Sequence, residues 1–309
     1  MAAVPQSFMP DSHAVPVVAD PARPATPICI CVDDFGLHPA INQAVLDLAL
    51  HERISTTSAM TQGAAWREGA ARLRELGPRA LEVGLHLDFT EPRIPTGQIR
   101  ASLGRMIVAS HLHRLDLTRL RGDIEAQLDA FEARLNRPPA FVDGHQHVHQ
   151  LPQVRDVLLQ TLAVRYPQPG HRPWLRCAWP RDGLLGSARR APKAAVIGLL
   201  GARALARQAS RRGFMHNDAL LGVYDFSGDA ERFRSLLRHW LGSAGTGDVL
   251  MCHPAAGDVP GDPIARARRI EFEVLDSAWF GDLLGKTGRR PGPLRESRTT
   301  NHGRTTQPR

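Results

Sequence analysis

Acidic and histidine side chains recur in this sequence at the points where short apolar runs end. Asp33 and Asp34 follow the first such run. A histidine stands at or just after the end of three later runs, namely His86, His145 and His253. Such runs are typical of strands buried on both faces of a parallel sheet. Because the carboxyl ends of barrel strands gather at one face, we expect these side chains to meet there.

Each of these motifs alone also has an ordinary structural explanation. Asp33 and Asp34 could form an Asx turn ahead of the next helix. His86 could be a hydrogen-bonded core histidine, and His253 could be a strand-end residue held extended by Pro254. Their joint occurrence at strand ends favours a functional site.

Three histidines, His145, His147 and His149, alternate directly after Asp143. On an extended segment, residues i and i+2 share a face, so the pattern predicts that all three point the same way. Burying an imidazole without a partner costs free energy. We therefore expect a metal ligand among them, although a surface His-rich tract would show the same spacing.

The set of residue types suits hydrolysis of an amide. One carboxylate and two imidazoles around a metal leave positions open for water and for a substrate oxygen. A bound divalent metal lowers the pKa of water and polarises a carbonyl. A second carboxylate can then accept a proton, and a free histidine can protonate the leaving amine.

Strand-like and helix-like segments alternate along the chain, with an irregular connection expected over 91–112. Strands are predicted at 27–32, 55–60, 81–87, 141–143, 174–177 and 247–252. Helices are predicted at 39–49, 66–76, 117–135, 152–164, 194–209 and 230–241. This order predicts an α/β fold, a (β/α) barrel-like single domain with a parallel sheet. A doubly wound open sheet is the alternative, but no glycine-rich dinucleotide loop follows the first strand.

The 309 residues divide into one domain and two tails. Residues 1–26 are rich in Pro and Ala and are predicted to be disordered, and 27–285 form the catalytic domain. Residues 286–309 are predicted to form a disordered basic tail. Four cysteines without a CxxC pair indicate buried thiols in a reducing compartment. Without a signal peptide or an 18-residue apolar run, we expect a cytoplasmic protein.

The formal charge of +8 is unevenly distributed. Residues 286–309 carry seven Lys or Arg against one Glu, and residues 186–213 carry seven Lys or Arg and no acid. Neither segment has interleaved aromatics or a nucleic-acid motif, so no nucleic-acid partner is expected. The basic helix within 186–213 could lie on an anionic membrane surface. We favour the alternative of an exposed barrel helix with a solvated Arg face.

In their order along the chain, the motifs resemble those of the YdjC-like (ChbG-type) carbohydrate deacetylases. The resemblance covers about residues 27–280 and includes the segment Thr56-Thr57-Ser58. Its motifs are Val32-Asp33-Asp34-Phe35-Gly36-Leu37, Gly84-Leu85-His86-Leu87, Val142-Asp143-Gly144-His145-Gln146-His147-Val148-His149-Gln150-Leu151-Pro152 and Cys252-His253-Pro254. It implies a barrel-like fold related to polysaccharide deacetylases and removal of acetyl groups from N-acetylglucosamine-containing sugars.

The resemblance also implies a role for each motif residue. Asp34, His86 and His145 would bind one divalent metal, either Mg²⁺ or Zn²⁺. Asp33 would be the general base, and His253 would be the general acid or would steady the oxyanion. Asp143 would orient a ligand histidine. His147 and His149 would support the ligands or contact the substrate.

Two other functions compete with an N-deacetylase. A phosphoesterase on the same barrel would call for a second metal or clustered cations, and the four motifs contain no Lys or Arg. A non-catalytic sugar- or membrane-binding protein would lack some catalytic residue, and none is missing. The substrate stays open between an oligosaccharide and a lipid-linked sugar, as does assembly into a homo-oligomer.

Overall fold

The computed structural model describes residues 25–91, 101–183, 186 and 192–302. The predicted N-terminal extension therefore lies outside the described residues, apart from its last two. The strands are β1 (Thr26–Phe35), β2 (Thr56–Ala59), β3 (Glu82–Leu87), β4 (Phe141–Gly144), β5 (Trp174–Leu175), β6 (Leu220–Leu221), β7 (Val249–Cys252) and β8 (Arg289–Pro291). The helices are α1 (Pro39–Leu50), α2 (Trp66–Leu76), α3 (Leu103–His111), α4 (Leu117–Leu135), α5 (Pro152–Arg165), α6 (Pro192–Ile197), α7 (Arg203–Arg211), α8 (Ala230–Ser243), α9 (Ala265–Leu275), α10 (Ala278–Lys286) and α11 (Leu294–His302).

The strands form one curled parallel sheet in the order β5-β4-β3-β2-β1-β7-β6. β1 lies at its centre, where Cys31 pairs with Thr56 of β2 and Cys29 pairs with Val249 of β7. Two isolated parallel bridges, Leu175 with His216 and Pro180 with Leu220, connect the β5 side to the β6 side. The prediction of an α/β barrel-like fold is confirmed.

The central strands are buried because helices cover the sheet. Residues Ile28 to Phe35 of β1 are all buried. On β3, a Cβ at Gly84 would stand 2.5 Å from the Phe141 ring, which stacks on Trp174 with centroids 4.3 Å apart. Only glycine at position 84 therefore allows β3 and β4 to pack at this distance.

Two predicted segments differ from the structure. The connection 91–112 contains α3, which packs against α5. The predicted helix 194–209 is interrupted by a π-helical turn, Gly198–Ala202. Gly201 has φ +131°, and a Cβ there would lie 2.1 Å from the Gln150 carbonyl oxygen. The chain turns at this glycine because the backbone passes so close to the histidine segment.

The prediction that residues 286–309 form a disordered basic tail is wrong for much of that segment. β8 pairs with the start of β1, from Thr26 opposite Arg289 to Ile28 opposite Pro291. Leu294, at the start of α11, is fully buried against the sheet. The domain therefore continues past residue 285, because a few apolar contacts and strand pairing suffice to fold a segment rich in arginine.

The four cysteines, Cys29, Cys31, Cys177 and Cys252, are free and buried, as expected. Within the described part of the chain, no helix is both long and apolar enough to cross a membrane.

Candidate active site

One cavity of about 670 Å³ lies at the carboxyl ends of the strands. Its lining includes the five side chains that the sequence singled out at strand ends, namely Asp33, Asp34, His86, His145 and His253. The predicted convergence of these residues is thus present in the structure.

Asp34 is the centre of the candidate metal site. Its φ of +67°, rare for a residue with a Cβ, turns the chain at the end of β1, so that the adjacent acids point in different directions. Its Oδ1 lies 3.4 Å from His86 Nε2 and 3.0 Å from His145 Nδ1. The three residues can place one ligand atom each within 4.8 Å of one another.

His86 is held from behind by a carboxylate. Its Nδ1 donates to Asp143 Oδ1 at 2.7 Å, and the Ser58 hydroxyl donates to the same oxygen. This leaves Nε2 directed at Asp34. An imidazole backed by a carboxylate is the usual arrangement of a metal-binding histidine, so the donor set fits a divalent metal.

A second group, Asp33, His86 and Asp143, also brings ligand atoms within 4.8 Å. Both of its carboxylates are bonded to the guanidinium of Arg176. A metal there would have to compete with that cation, so the Asp34 group is the better candidate.

The charges around Asp34 suit a cation. Although burial opposes the charged form, Asp143 and Asp33 raise the pKa of His86 to about 9. Burial likewise opposes the charge of His145, but Asp34 and Glu91 raise its pKa to about 10. Burial disfavours ionised Asp34, yet Arg268 and His145 hold its pKa well below the usual range. Without metal, protons on the imidazoles neutralise these carboxylates.

Metal binding should therefore release protons. Between pH 7 and 8 both ligand histidines of the metal-free protein are protonated, and ligation needs them neutral, so about two protons should leave per metal. The apparent affinity for the metal should rise with pH. It should level off only above the pKa of His86, about 9, and that of His145, about 10. Isothermal titration calorimetry in buffers of different ionisation enthalpy measures this number. A buffer-independent heat would contradict the assignment of these ligands.

Asp33 is fixed by a buried arginine. Arg176 Nη1 and Nη2 donate to its two carboxylate oxygens at 2.7 and 2.6 Å, and Nη2 also lies 2.5 Å from Asp143 Oδ2. Although burial disfavours the charged guanidinium, Asp143 and Asp33 raise the pKa of Arg176. The Asp33 carboxylate is therefore held in one orientation at the cavity wall.

His253 also approaches Asp33, with its Nε2 3.9 Å from Asp33 Oδ2. Its backbone N–H donates to Glu271 Oε2 at 2.5 Å, and its ring meets the Phe226 ring edge-on. Burial lowers the pKa of His253 to about 4, against the opposing effect of Asp34 and Asp33. The imidazole is thus neutral at pH 7.

The predicted common face of the three alternating histidines is wrong. Residues His145–Gln150 form a 3-10 helix with Gln146 at φ +53° and His147 at φ +59°. These left-handed residues turn the chain, so that His145 and His147 line the cavity while the buried His149 donates from Nε2 to the Arg176 carbonyl at 2.6 Å. Each left-handed residue costs about 1–3 kcal/mol, a strain typical of functional segments.

Residues outside the motifs complete the site. Arg268 Nη2 donates to Asp34 Oδ2 at 2.6 Å, and Tyr224 donates to Glu271 Oε1 at 2.8 Å. The four motifs contain no Lys or Arg, and the two arginines that reach the site, Arg176 and Arg268, come from elsewhere in the chain. The sequence did contain a pattern that could have identified the α9 residues. Arg268 and Glu271 stand at helix positions that share a face with apolar residues, where charged side chains are unusual.

Replacing Asp143 by Asn should weaken metal binding by about 10- to 100-fold, because the amide no longer fixes the His86 tautomer as the carboxylate does. Metal titration of the folded variant, checked by circular dichroism, measures the effect. Ser58→Ala removes only a hydroxyl bonded to the same oxygen and serves as the milder control. An unchanged affinity in Asp143→Asn would show that His86 does not bind the metal.

Known proteins resemble this chain over most of its length. Residues 27–286 match the family model described as YdjC-like protein. A human protein named carbohydrate deacetylase is 30% identical over 262 residues, which cover 77% of this chain and 78% of the human protein. A chitooligosaccharide deacetylase from Yersinia enterocolitica is 34% identical over 133 residues, covering 41% of this chain and 52% of that protein.

A solved structure shares the fold. The crystal structure of an Enterococcus faecalis protein, whose name assigns it to cellobiose-phosphate cleavage, has a TM-score of 0.62 and 21% sequence identity. The match covers 88% of this chain and 98% of that protein. At this identity it supports the barrel-like fold alone. With the family match spanning nearly the whole described domain, the chain belongs to the YdjC-like protein family.

Proposed function

We propose that this protein is a metal-dependent N-deacetylase that removes the acetyl group from an N-acetylated sugar. The observation that carries the proposal is the convergence of Asp34, His86 and His145 beside Asp33 in one cavity. The relatives named carbohydrate deacetylase and chitooligosaccharide deacetylase support the reaction type.

In this proposal Asp34, His86 and His145 hold the divalent metal. When bound, the metal supplies a Lewis acid for the acetyl carbonyl and lowers the pKa of the attacking water. Two imidazoles among three ligands favour Zn²⁺ over Mg²⁺, since Mg²⁺ prefers oxygen ligands.

Asp33 acts as the general base in this scheme. The two hydrogen bonds from the Arg176 guanidinium keep the Asp33 carboxylate in one orientation. The carboxylate therefore needs no rotation before it takes a proton from the attacking water. In this scheme the proton held by Asp33 then passes to the departing amine. Arg176 itself is a positioning residue, since its guanidinium is fully buried behind Asp33.

His253 has two candidate roles, general acid or hydrogen-bond donor to the oxyanion. A pKa of about 4 favours the second role, because a neutral imidazole can donate from Nε2–H but carries no spare proton at pH 7. A nearby metal cation would lower this pKa further, which strengthens the preference.

The cavity wall suggests what the sugar is attached to. A volume of about 670 Å³ exceeds what an acetyl group needs. Besides its polar side chains, the lining includes nine apolar ones, namely Leu37, Leu103, Ile107, Val196, Ile197, Leu200, Phe226, Val259 and Ile264. Covering such a wall with water is unfavourable, at about 25 cal/mol per Å². We therefore propose a sugar carried on an apolar aglycone, such as a lipid-linked sugar, over a free oligosaccharide.

The phosphoesterase alternative is weaker. It calls for cations free to bind the phosphate oxygens. Arg176 and Arg268 are both buried and already bonded to Asp33 and Asp34 respectively. Substrate phosphate would have to displace these carboxylates to reach either arginine. Lys193 also lines the cavity, but its ammonium already lies over the Phe226 ring, 4.2 Å from the centroid.

The test is acetate release from N-acetylglucosamine, chitobiose and an N-acetylglucosaminyl lipid in detergent. Each is assayed after chelation and after addition of Zn²⁺ or Mg²⁺. Metal-dependent acetate release, fastest with the lipid-linked sugar, is the expected result. Turnover of a phosphate ester with no acetate from any acetamide would overturn the proposal. Equal rates on chitobiose and the glycolipid would reject the proposed preference for an apolar aglycone but not the deacetylase activity.

A further inference from the structure

Two segments at the edge of the cavity expose apolar side chains. Val108 on α3 is 58% exposed, and Leu112, which follows α3, is 56% exposed. Leu199, in the π-helical turn after α6, is 68% exposed. Because Ile107 and Leu200 line the cavity, the neighbouring Val108 and Leu199 lie beside its opening. Exposed apolar groups around an apolar cavity indicate an interaction surface.

The same two segments carry cations and no acids. Residues 101–115 contain Arg105 and Arg114, and residues 192–217 contain Lys193 and four arginines; neither range has an Asp or Glu. Arg105 and Arg207 are exposed. Arg105 and Val108 are spaced i, i+3 on α3, and Leu112 follows at i+7 directly after the helix, so the three share one face. Exposed apolar side chains flanked by Lys and Arg are what a segment needs to bind an anionic membrane surface.

We propose that this cavity-rim surface, defined by Arg105, Val108, Leu112 and Leu199, docks on an anionic lipid bilayer. The absence of acids from both segments gives the charge complementarity, since juxtamembrane Lys and Arg are drawn to anionic headgroups. The exposed apolar side chains then enter the headgroup region.

This surface changes the interpretation of the basic segment. The sequence favoured a solvated Arg face for residues 186–213, but it placed no helix at 103–111 and did not reveal the exposed Leu199. With both segments beside one opening, docking would turn the apolar cavity wall towards the bilayer. An apolar aglycone could then enter the cavity without crossing water. The inference extends the proposed function, but vesicle binding tests it without turnover.

The experiment is co-sedimentation of the full chain with vesicles of phosphatidylcholine alone and of phosphatidylcholine mixed with phosphatidylglycerol. Binding to the mixed vesicles, weakened by high salt, is the expected result. The double variant Val108→Asp with Leu199→Asp should bind at least about tenfold more weakly. The control is Val164→Asp, because Val164 on α5 is 80% exposed and does not line the cavity. Metal binding by each variant checks its folding.

Three outcomes would overturn the inference. The first is no binding of the wild type to either vesicle, and the second is an equal loss in the Val164 control. The third is a dimer in solution that the double variant dissociates while vesicle binding is absent, which would assign the surface to a second copy of the chain. Acetate release from soluble sugars is measured in parallel. Its persistence without vesicle binding would reject the docking surface and keep the deacetylase.

Discussion

Asp33→Asn is expected to lower kcat for acetate release by about a thousandfold while the protein keeps its metal. General-base catalysis contributes about 10²- to 10⁴-fold, and the amide of Asn cannot accept the proton. Metal should stay bound, because the proposed ligands are Asp34, His86 and His145. Steady-state kinetics, with metal content measured on the same preparation, checks both parts of the prediction.

The matched control is Asp34→Asn at the adjacent position. It should lose metal affinity as well as activity, since it removes the carboxylate that lies within 3.4 Å of both ligand histidines. Loss of metal from Asp33→Asn with retention in Asp34→Asn would reverse the roles of the two acids. Full activity of Asp33→Asn would assign the base to another group.

The sequence predicted the parts of the fold that local pattern determines. The first strand, predicted at 27–32 and observed as Thr26–Phe35, was found from its apolar run. The helix Leu117–Leu135 was found from its amphipathic spacing. The gathering of the acids and histidines followed from one rule, that parallel strands end at the same face. Position along a strand was therefore enough to predict which side chains meet in the candidate site.

The remaining errors come from long-range contacts. The turn at Gln146 and His147 depends on left-handed backbone that the sequence does not favour in residues with a Cβ. Arg176 lies within the predicted strand 174–177, but no motif marked it, because its reach to Asp33 and Asp143 depends on how the strands assemble. Arg268 arrives from a helix 234 residues after Asp34. Side chains that hydrogen-bond the site residues without lying in a motif have no fixed sequence spacing from the motif that they support.

Arg176→Met should destabilise the protein by about 3–5 kcal/mol, the usual cost of removing one partner from a buried ion pair. Arg176 is fully buried, and it pairs with two carboxylates, Asp33 and Asp143, that are also buried. Methionine has a similar volume, so the loss should come from the unpaired charges more than from a void. Chemical denaturation of metal-free protein at pH 7 measures it, and kcat should also fall because Asp33 loses its fixed orientation.

An exposed arginine provides the control for this substitution. Arg269 pairs with Asp258 at 3.1 Å, but their side chains are 55% and 81% exposed, so Arg269→Met should cost less than about 1 kcal/mol. The double variant Arg176→Met with Asp33→Asn should be more stable than the sum of the two single losses predicts, because one of the unpaired charges is gone. Additive losses, or a cost at Arg176 no larger than at Arg269, would mean that the guanidinium does not hold the buried carboxylates together. Asp33 would then owe its orientation to the strand backbone alone.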